Sequence, residues 1–234
     1  MAIDTTYVIT RLFNTIISIS VFILSLMIYR NTRGASIAYK KWAIGTFLIF
    51  VSSAISLLFG LLFGGDYSSE TSINEFHRIL GFTILTLGYF YLPLGVLHLS
   101  KDMKVRNINE ETIKKIHILF FSIILASSAV LFATIPLLNT ILIVNIVFNV
   151  ISFTLWVITI IYYSNLYNTL KSFNNCWALL YLALFGSLVN NMFAILYFVF
   201  EFEVFEILRL ASQIIMAIGF IGGFFKLAKM IEAI

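Results

Sequence analysis

Charge is scarce in this chain. Asp, Glu, Lys and Arg make up only 11% of its 234 residues and hydrophobic residues 61%, whereas an ordinary soluble domain is about 25% charged. A water-soluble globule is excluded. Cysteine is nearly absent, so the single Cys176 has nothing to bridge within the chain. No Asn-X-Ser/Thr sequon occurs either, and a glycosylated, disulfide-built ectodomain is not expected. Gly-rich phosphate loops, zinc-ligand spacings, Ser/His/Asp sets and mid-span carboxylate pairs are also missing. Without them acid–base catalysis has no candidate groups, and neither an enzyme nor a resident cofactor or metal is expected. Active transporters and pumps use ionisable relays inside their spans, and none stands near a span centre here.

What the chain has instead is a series of apolar runs. About 20 helical residues cross a hydrocarbon layer of about 30 Å. Runs of that length lie at about 8–29, 42–63, 78–99, 116–136, 140–163, 176–200 and 206–228. From Ile116 to Leu170 there is no Asp, Glu, Lys or Arg. That stretch is too long for one crossing, so it is expected to turn at Pro136 and Asn139. The expected fold is an all-α membrane protein, one seven-transmembrane helix bundle over residues 1–234.

Alternating the loops separates the basic residues sharply. One side collects twelve, among them Arg30, Lys40, Lys41, Lys101, Lys104, Lys114, Lys115, Lys226 and Lys229; the other has only Arg11, Arg78 and Arg209. The basic side is read as cytoplasmic. The N-terminus then lies outside, the C-terminus inside, and the protein is a multi-pass component of the cell membrane. No basic run precedes the first apolar stretch, so it is expected to be retained as a span rather than cleaved as a signal peptide.

The lipid bilayer is the first expected partner. The clusters Arg30–Lys41 and Lys101–Lys115 attract anionic headgroups and offer a docking surface to a cytoplasmic protein; they do not form a nucleic-acid site. The oligomeric state is left open.

Placed by depth at about 1.5 Å per residue, polar residues of every helix fall in one layer of the outer half. They include Asn14, Ser18, Ser52, Ser53, Ser56, Thr86, Tyr89, Ser127, Ser128, Asn145, Asn149, Asn190, Asn191 and Gln213. Asn145, Asn149, Ser152 and Trp156 share one helical face, opposite Asn190 or Asn191. Two readings follow. The amides bond helix to helix, or they line an outward-opening pocket for a small uncharged ligand. For the pocket, Tyr89, Asn149, Asn190, Asn191 and Gln213 are the candidate ligand-binding residues.

Two further sets have structural readings. Gly81, Gly88 and Gly95 recur every seventh residue and are read as a helix-packing stripe. His98 and His117 reach similar depths and have the chemistry of an axial haem pair. They are read instead as interfacial residues meeting headgroups or loop backbone.

The plan resembles that of microbial rhodopsins in length, helix number, orientation and the longer outer connection between helices two and three. Tyr89-Phe90-Tyr91-Leu92-Pro93 followed by His98 is similar to that family's aromatic–proline segment, with His98 where its pumps often carry a carboxylate. Matching on Gly219-Phe220 puts Gln213 and Ala217 where the family has an Asp and its Schiff-base Lys. Without that Lys no retinal Schiff base is expected, and Lys226 lies too near the cytoplasmic end to replace it. The plan is also similar to the seven-helix input modules of prokaryotic sensors, which pass a helix movement inward. No output domain of that kind is present here, so a signal is expected to leave through a partner.

These readings lead to a receptor-like or sensory seven-helix protein. The alternatives are a non-catalytic scaffold subunit of a larger membrane complex and a facilitator for a small neutral solute. The facilitator needs a polar path continuing through the inner half.

Overall fold

A backbone N–H or C=O in hydrocarbon has no water to bond, so an apolar run of this kind satisfies itself by closing its own i to i−4 ladder. The computed structural model describes residues 5–32, 36–63, 72–104, 109–134, 140–170, 175–200 and 202–232. They form α1 (Thr5–Asn31), α2 (Ile37–Phe63), α3 (Ser72–Asp102), α4 (Glu110–Thr134), α5 (Thr140–Leu170), α6 (Cys176–Phe200) and α7 (Glu203–Glu232). All seven are long and apolar enough to cross a membrane.

Each apolar run expected from the sequence sits in its own helix, but most helices run on past it. At 31 residues, α3 and α5 are about 46 Å long, well beyond a hydrocarbon layer of about 30 Å. Hydropathy marks where lipid ends, while the hydrogen-bond ladder continues into the polar interface. The expected span 116–136 lies in α4 as far as Thr134, and its last two residues lie outside the described residues. Pro136 and Asn139, read as the turn, lie outside the described residues.

Contacts between neighbours fix the helix directions. Ser25 meets Thr46 and Thr15 donates to the Ser53 carbonyl, so α1 and α2 are antiparallel. Ser52 donates to the Gly81 carbonyl while Trp42 Nε1 donates to that of Leu92, so α2 and α3 are antiparallel too. Phe82 stacks on Phe148 and Tyr89 packs on Trp156, which makes α3 and α5 parallel. Arg30, Lys40, Lys101, Lys114 and Lys229 consequently gather at one end of the bundle, called here the basic end. The helix ends bearing Arg11, Arg78 and Arg209 form the other.

Six helices close a ring in the order α1, α2, α3, α5, α6, α7, with α7 returning to α1. α4 stands outside it, packed on α3 and barely touching α5. Its Ile118, Leu119 and Val130 face outward. α3 is the central helix, buried along Leu92–Ser100 and carrying Pro93 in its interior.

Small residues let the ring close tightly. A side chain on Gly88 would fall 2.9 Å from the Gly45 carbonyl oxygen, and one on Gly95 would run into the Trp42 ring. The seven-residue stripe on α3 is thus a contact surface for α2, as its spacing suggested. On the opposite side of the ring, a Cβ on Gly219 would lie 2.7 Å from both Ala183 N and Leu179 O.

The basic half is filled. Trp42, Leu92, Val96, Tyr163, Leu166, Trp177, Leu180, Phe224 and Leu227 are buried in one cluster. The Tyr163 hydroxyl donates to the Trp177 carbonyl at 3.0 Å. Polar contacts tie the helix ends there, with Ser36 donating to Asp102 and Lys101 to Glu110.

Gly219→Ala is expected to lower stability by about 1–3 kcal/mol, because rigid backbone blocks the added methyl group. Gly222→Ala meets only the flexible Leu179 side chain at 3.3 Å, and is expected to stay within about 0.5 kcal/mol of the parent. Unfolding of both variants in lipid discs measures this; equal losses would mean that the α6–α7 contact is looser than described.

Candidate functional site

Above the packed half the ring is hollow. The cavity has a volume of about 680 Å³, within the range of small-molecule sites, about 300–1,000 Å³. All six ring helices line it, and among the described residues α4 adds none.

The lining follows helical stripes from the less basic end inward. On α1, Arg11, Asn14, Ser18 and Val21 follow one another at three- and four-residue steps. On α7 the stripe is Glu206, Arg209, Gln213, Met216 and Phe220, and on α3 Arg78, Gly81, Leu85, Tyr89 and Leu92. Ten residues separate Arg11 from Val21, so the cavity runs about 15 Å down α1 at about 1.5 Å per residue.

Three levels result. The rim carries Arg11, Arg78, Arg209, Glu206, His77 and Tyr197. Beneath it lies a belt of amides and hydroxyls from Asn14, Ser18, Ser52, Ser53, Asn149, Asn190, Asn191 and Gln213. The floor is Val21, Ile49, Tyr89, Leu92 and Phe220, resting on the aromatic cluster of the basic half. Trp156 lies just behind the floor, its ring 4.9 Å from that of Tyr89 and 6.4 Å from that of Phe220.

The five residues singled out from the sequence, Tyr89, Asn149, Asn190, Asn191 and Gln213, all line this one cavity. Their bonding differs. Asn191 is buried and donates from Nδ2 to the Ser187 carbonyl at 2.9 Å, a bond within its own helix. Asn190 Oδ1 is buried with no partner among the described residues. A buried acceptor left unpaired costs about 1–3 kcal/mol.

Other members of the expected layer do not reach the cavity. Ser128 is engaged by Thr83 of α3 at 2.8 Å and donates to the Ile124 carbonyl, so it joins α4 to α3 outside the ring. Among the described residues the cavity wall is therefore built by six helices, with α4 behind it. Thr86, Ser152 and Trp156 are buried but absent from the lining, because α3 and α5 turn these faces toward neighbouring helices. The side chain of Asn145 lies outside the described residues. Ala217, matched to the retinal lysine, is buried and does not line the cavity, whereas Gln213 does.

The rim was not singled out from the sequence. Arg11, Arg78 and Arg209 were read there only as charges that set topology. Helical phase was the available signal for two of them, since Arg11 stands three residues before Asn14 and Arg209 four before Gln213. In the structure Arg209 forms an ion pair with Glu206. The His77 ring stacks flat on Phe59, centroids 3.9 Å apart and 8° from parallel.

His117 is enclosed edge-on by Phe90, Tyr91 and Phe121, and His98 is buried on α3 near the basic end. Neither lines the cavity. Among the described residues no group of three or more His, Cys, Asp or Glu is placed to hold a metal ion. No protein-family model matches the chain, and no significant match arises among curated proteins or solved structures.

Accessibility tests the hollow. In a Cys176→Ala background, Gln213→Cys faces the cavity, while Ile214→Cys takes a site that is 52% exposed on the outer surface. In lipid discs a charged methanethiosulfonate reagent is expected to modify the first readily and the second little, because the reaction needs a hydrated thiolate. Equal inertness at both sites would show the ring to be filled.

Proposed function

We propose that the protein is a receptor-like or sensory seven-helix membrane protein whose cavity receives a small ligand. In this reading the N-terminus and the cavity face outward, the C-terminus and the basic end face the cytoplasm, and the chain is a multi-pass protein of the cell membrane. The observation that carries the proposal is a cavity of about 680 Å³ walled by six helices, below which Trp42, Leu92, Phe220 and Phe224 leave a hollow of only about 20 Å³. An occupant touches six helices at once. Its binding energy can thus shift helix positions, as a sensor requires.

The route inward runs through α7. Phe220 forms part of the floor, Phe224 packs on Trp42 with centroids 5.7 Å apart, and Asn31 of α1 bonds Glu232 at the helix end. The exposed Arg30, Lys40, Lys104, Lys114 and Lys229 surround that end and give a partner protein its docking surface. The resemblance to prokaryotic seven-helix sensory modules supports the same direction of signal flow.

A facilitator needs a polar path through the basic half, which is occupied by aromatic and aliphatic side chains. A scaffold reading was tied to an outer surface more polar or more Gly-rich than lipid requires. The outward-facing residues include Leu12, Ile16, Phe47, Leu58, Ile118 and Ile218, and the glycines of α3 turn inward. Both observations favour the receptor-like reading.

Native mass spectrometry of the protein gently extracted from its own membrane tests this. A reproducible small-molecule adduct is expected, and Asn149→Leu with Asn190→Leu is expected to remove it while leaving the fold intact. Each lost hydrogen bond weakens binding by about tenfold. An adduct indifferent to both substitutions, or a chain always bare, would contradict the proposal.

A further inference from the structure

Two polar atoms on facing helices of the cavity wall are buried and lack a partner among the described residues. One is an acceptor, Asn190 Oδ1 of α6; the other is a donor, Arg209 Nε of α7. Both residues line the cavity. The packing of α6 on α7 puts them at one level. A Cβ on Gly186 would lie 3.3 Å from Ser212 O and 3.1 Å from Met216 N. Asn190 stands four residues beyond Gly186, and Arg209 three before Ser212, so each is about one turn nearer the less basic end. The rest of Arg209 is already engaged, since its Nη2 bonds the Glu206 carboxylate and the two charges offset each other. The serines of the belt do not supply the donor that Asn190 lacks. Ser18 donates to the Thr15 carbonyl at 3.0 Å and Ser52 to the Gly81 carbonyl at 2.8 Å.

We propose that the occupant is an uncharged amphipathic alcohol, whose hydroxyl bridges Asn190 Oδ1 and Arg209 Nε and whose apolar body rests on the floor formed by Tyr89, Leu92 and Phe220. This rests on the reading of the cavity as a ligand site and names the chemical class of its ligand. A hydroxyl is the smallest head that donates and accepts through one atom. It gives its proton to Asn190 Oδ1 and takes the Arg209 Nε proton on a lone pair. An ether or ketone accepts only, and would leave the asparagine oxygen unpaired. A carboxylate would set its own lone pairs against that oxygen, and an ammonium would meet the guanidinium with the wrong sign. The depth of the cavity fixes the size of the body. Asn190 stands seven residues from Ala183, whose N would lie 2.7 Å from a Cβ on Gly219, next to Phe220 of the floor. At about 1.5 Å per residue the head and the floor are about 10 Å apart.

The same head and body belong to a free alcohol and to a neutral lipid alcohol, and one experiment separates the two. Thermal unfolding of the full chain is followed in discs of phosphatidylcholine with 1-octanol or its isomer methyl heptyl ether at equal concentration. Octanol is expected to raise the midpoint by about 4 °C at roughly tenfold excess over its dissociation constant. The ether lacks the proton, is expected to bind about tenfold more weakly, and raises the midpoint by about 1 °C. Asn190→Leu is expected to erase the advantage of alcohol over ether. The empty variant should unfold no earlier than the parent, because a buried unpaired acceptor has been removed. Arg209→Lys keeps the charge toward Glu206 but removes Nε, and is expected to reduce the same advantage. If dioleoylglycerol in the discs gives the octanol rise and abolishes the octanol increment, the native occupant is a lipid alcohol; if the increment persists, it is a free alcohol. Ether stabilising as strongly as octanol, or an advantage that survives both substitutions, would overturn the hydroxyl head and leave a ligand cavity. No response to any of the probes, lipid included, would overturn the cavity as a ligand site as well.

Discussion

A polar group inside hydrocarbon must find its partner within the protein, and the design of this bundle follows from where such partners are found. Backbone groups find them along the helices, which forces seven long helices and little else. Serine and threonine hydroxyls mostly bond the carbonyl three or four residues earlier, as Thr83, Thr159 and Ser187 do. A few cross between helices and pin neighbours together, Ser25 to Thr46 and Ser52 to Gly81. The amides concentrate in one half, where the ring stays open around them. In the other half bulky side chains leave only a hollow of about 20 Å³ among Trp42, Leu92, Tyr163, Leu180 and Phe224. One bundle therefore has a solid base and a hollow top, and that asymmetry carries the functional argument.

The position of α4 sharpens the point. Direct α3–α5 packing, Tyr89 on Trp156 and Phe82 on Phe148, closes the ring without it. α4 adds an outer layer held by Thr83–Ser128 and by the cluster of Phe90, Leu94, Ile113 and Ile124. The cavity wall is thus made by helices that each touch the packed core below. In the receptor-like reading proposed above, a displacement at the amide belt would reach Trp42, Phe224 and the basic end through packed side chains, where close packing resists partial adjustment.

The seven helices and their number per run of sequence were legible because hydrophobic length is a one-dimensional property. The five pocket candidates were legible from depth alone, since an amide in the middle of an apolar run has few other places to be. Rotation about each helix axis was not legible. It is set by close approaches such as Gly45 to Gly88 and Gly219 to Ala183, which depend on partners distant in sequence. For that reason the depth of Thr86 and Ser128 did not reveal that neither lines the cavity. The arginines of the rim were overlooked for a different reason. A charge near a helix end is already accounted for by topology, and that Arg11, Arg78 and Arg209 line one cavity is visible only in three dimensions.

An experimental density map of the protein extracted from its own membrane into lipid discs bears most directly on the central claim, that the hollow half is built to hold a molecule. The account predicts non-protein density inside the ring, within hydrogen-bonding reach of Asn190 and Gln213. A collapsed ring, with Asn190 Oδ1 bonded to a neighbouring helix and the floor residues meeting across the axis, would contradict it. The asparagines would then be interhelical glue.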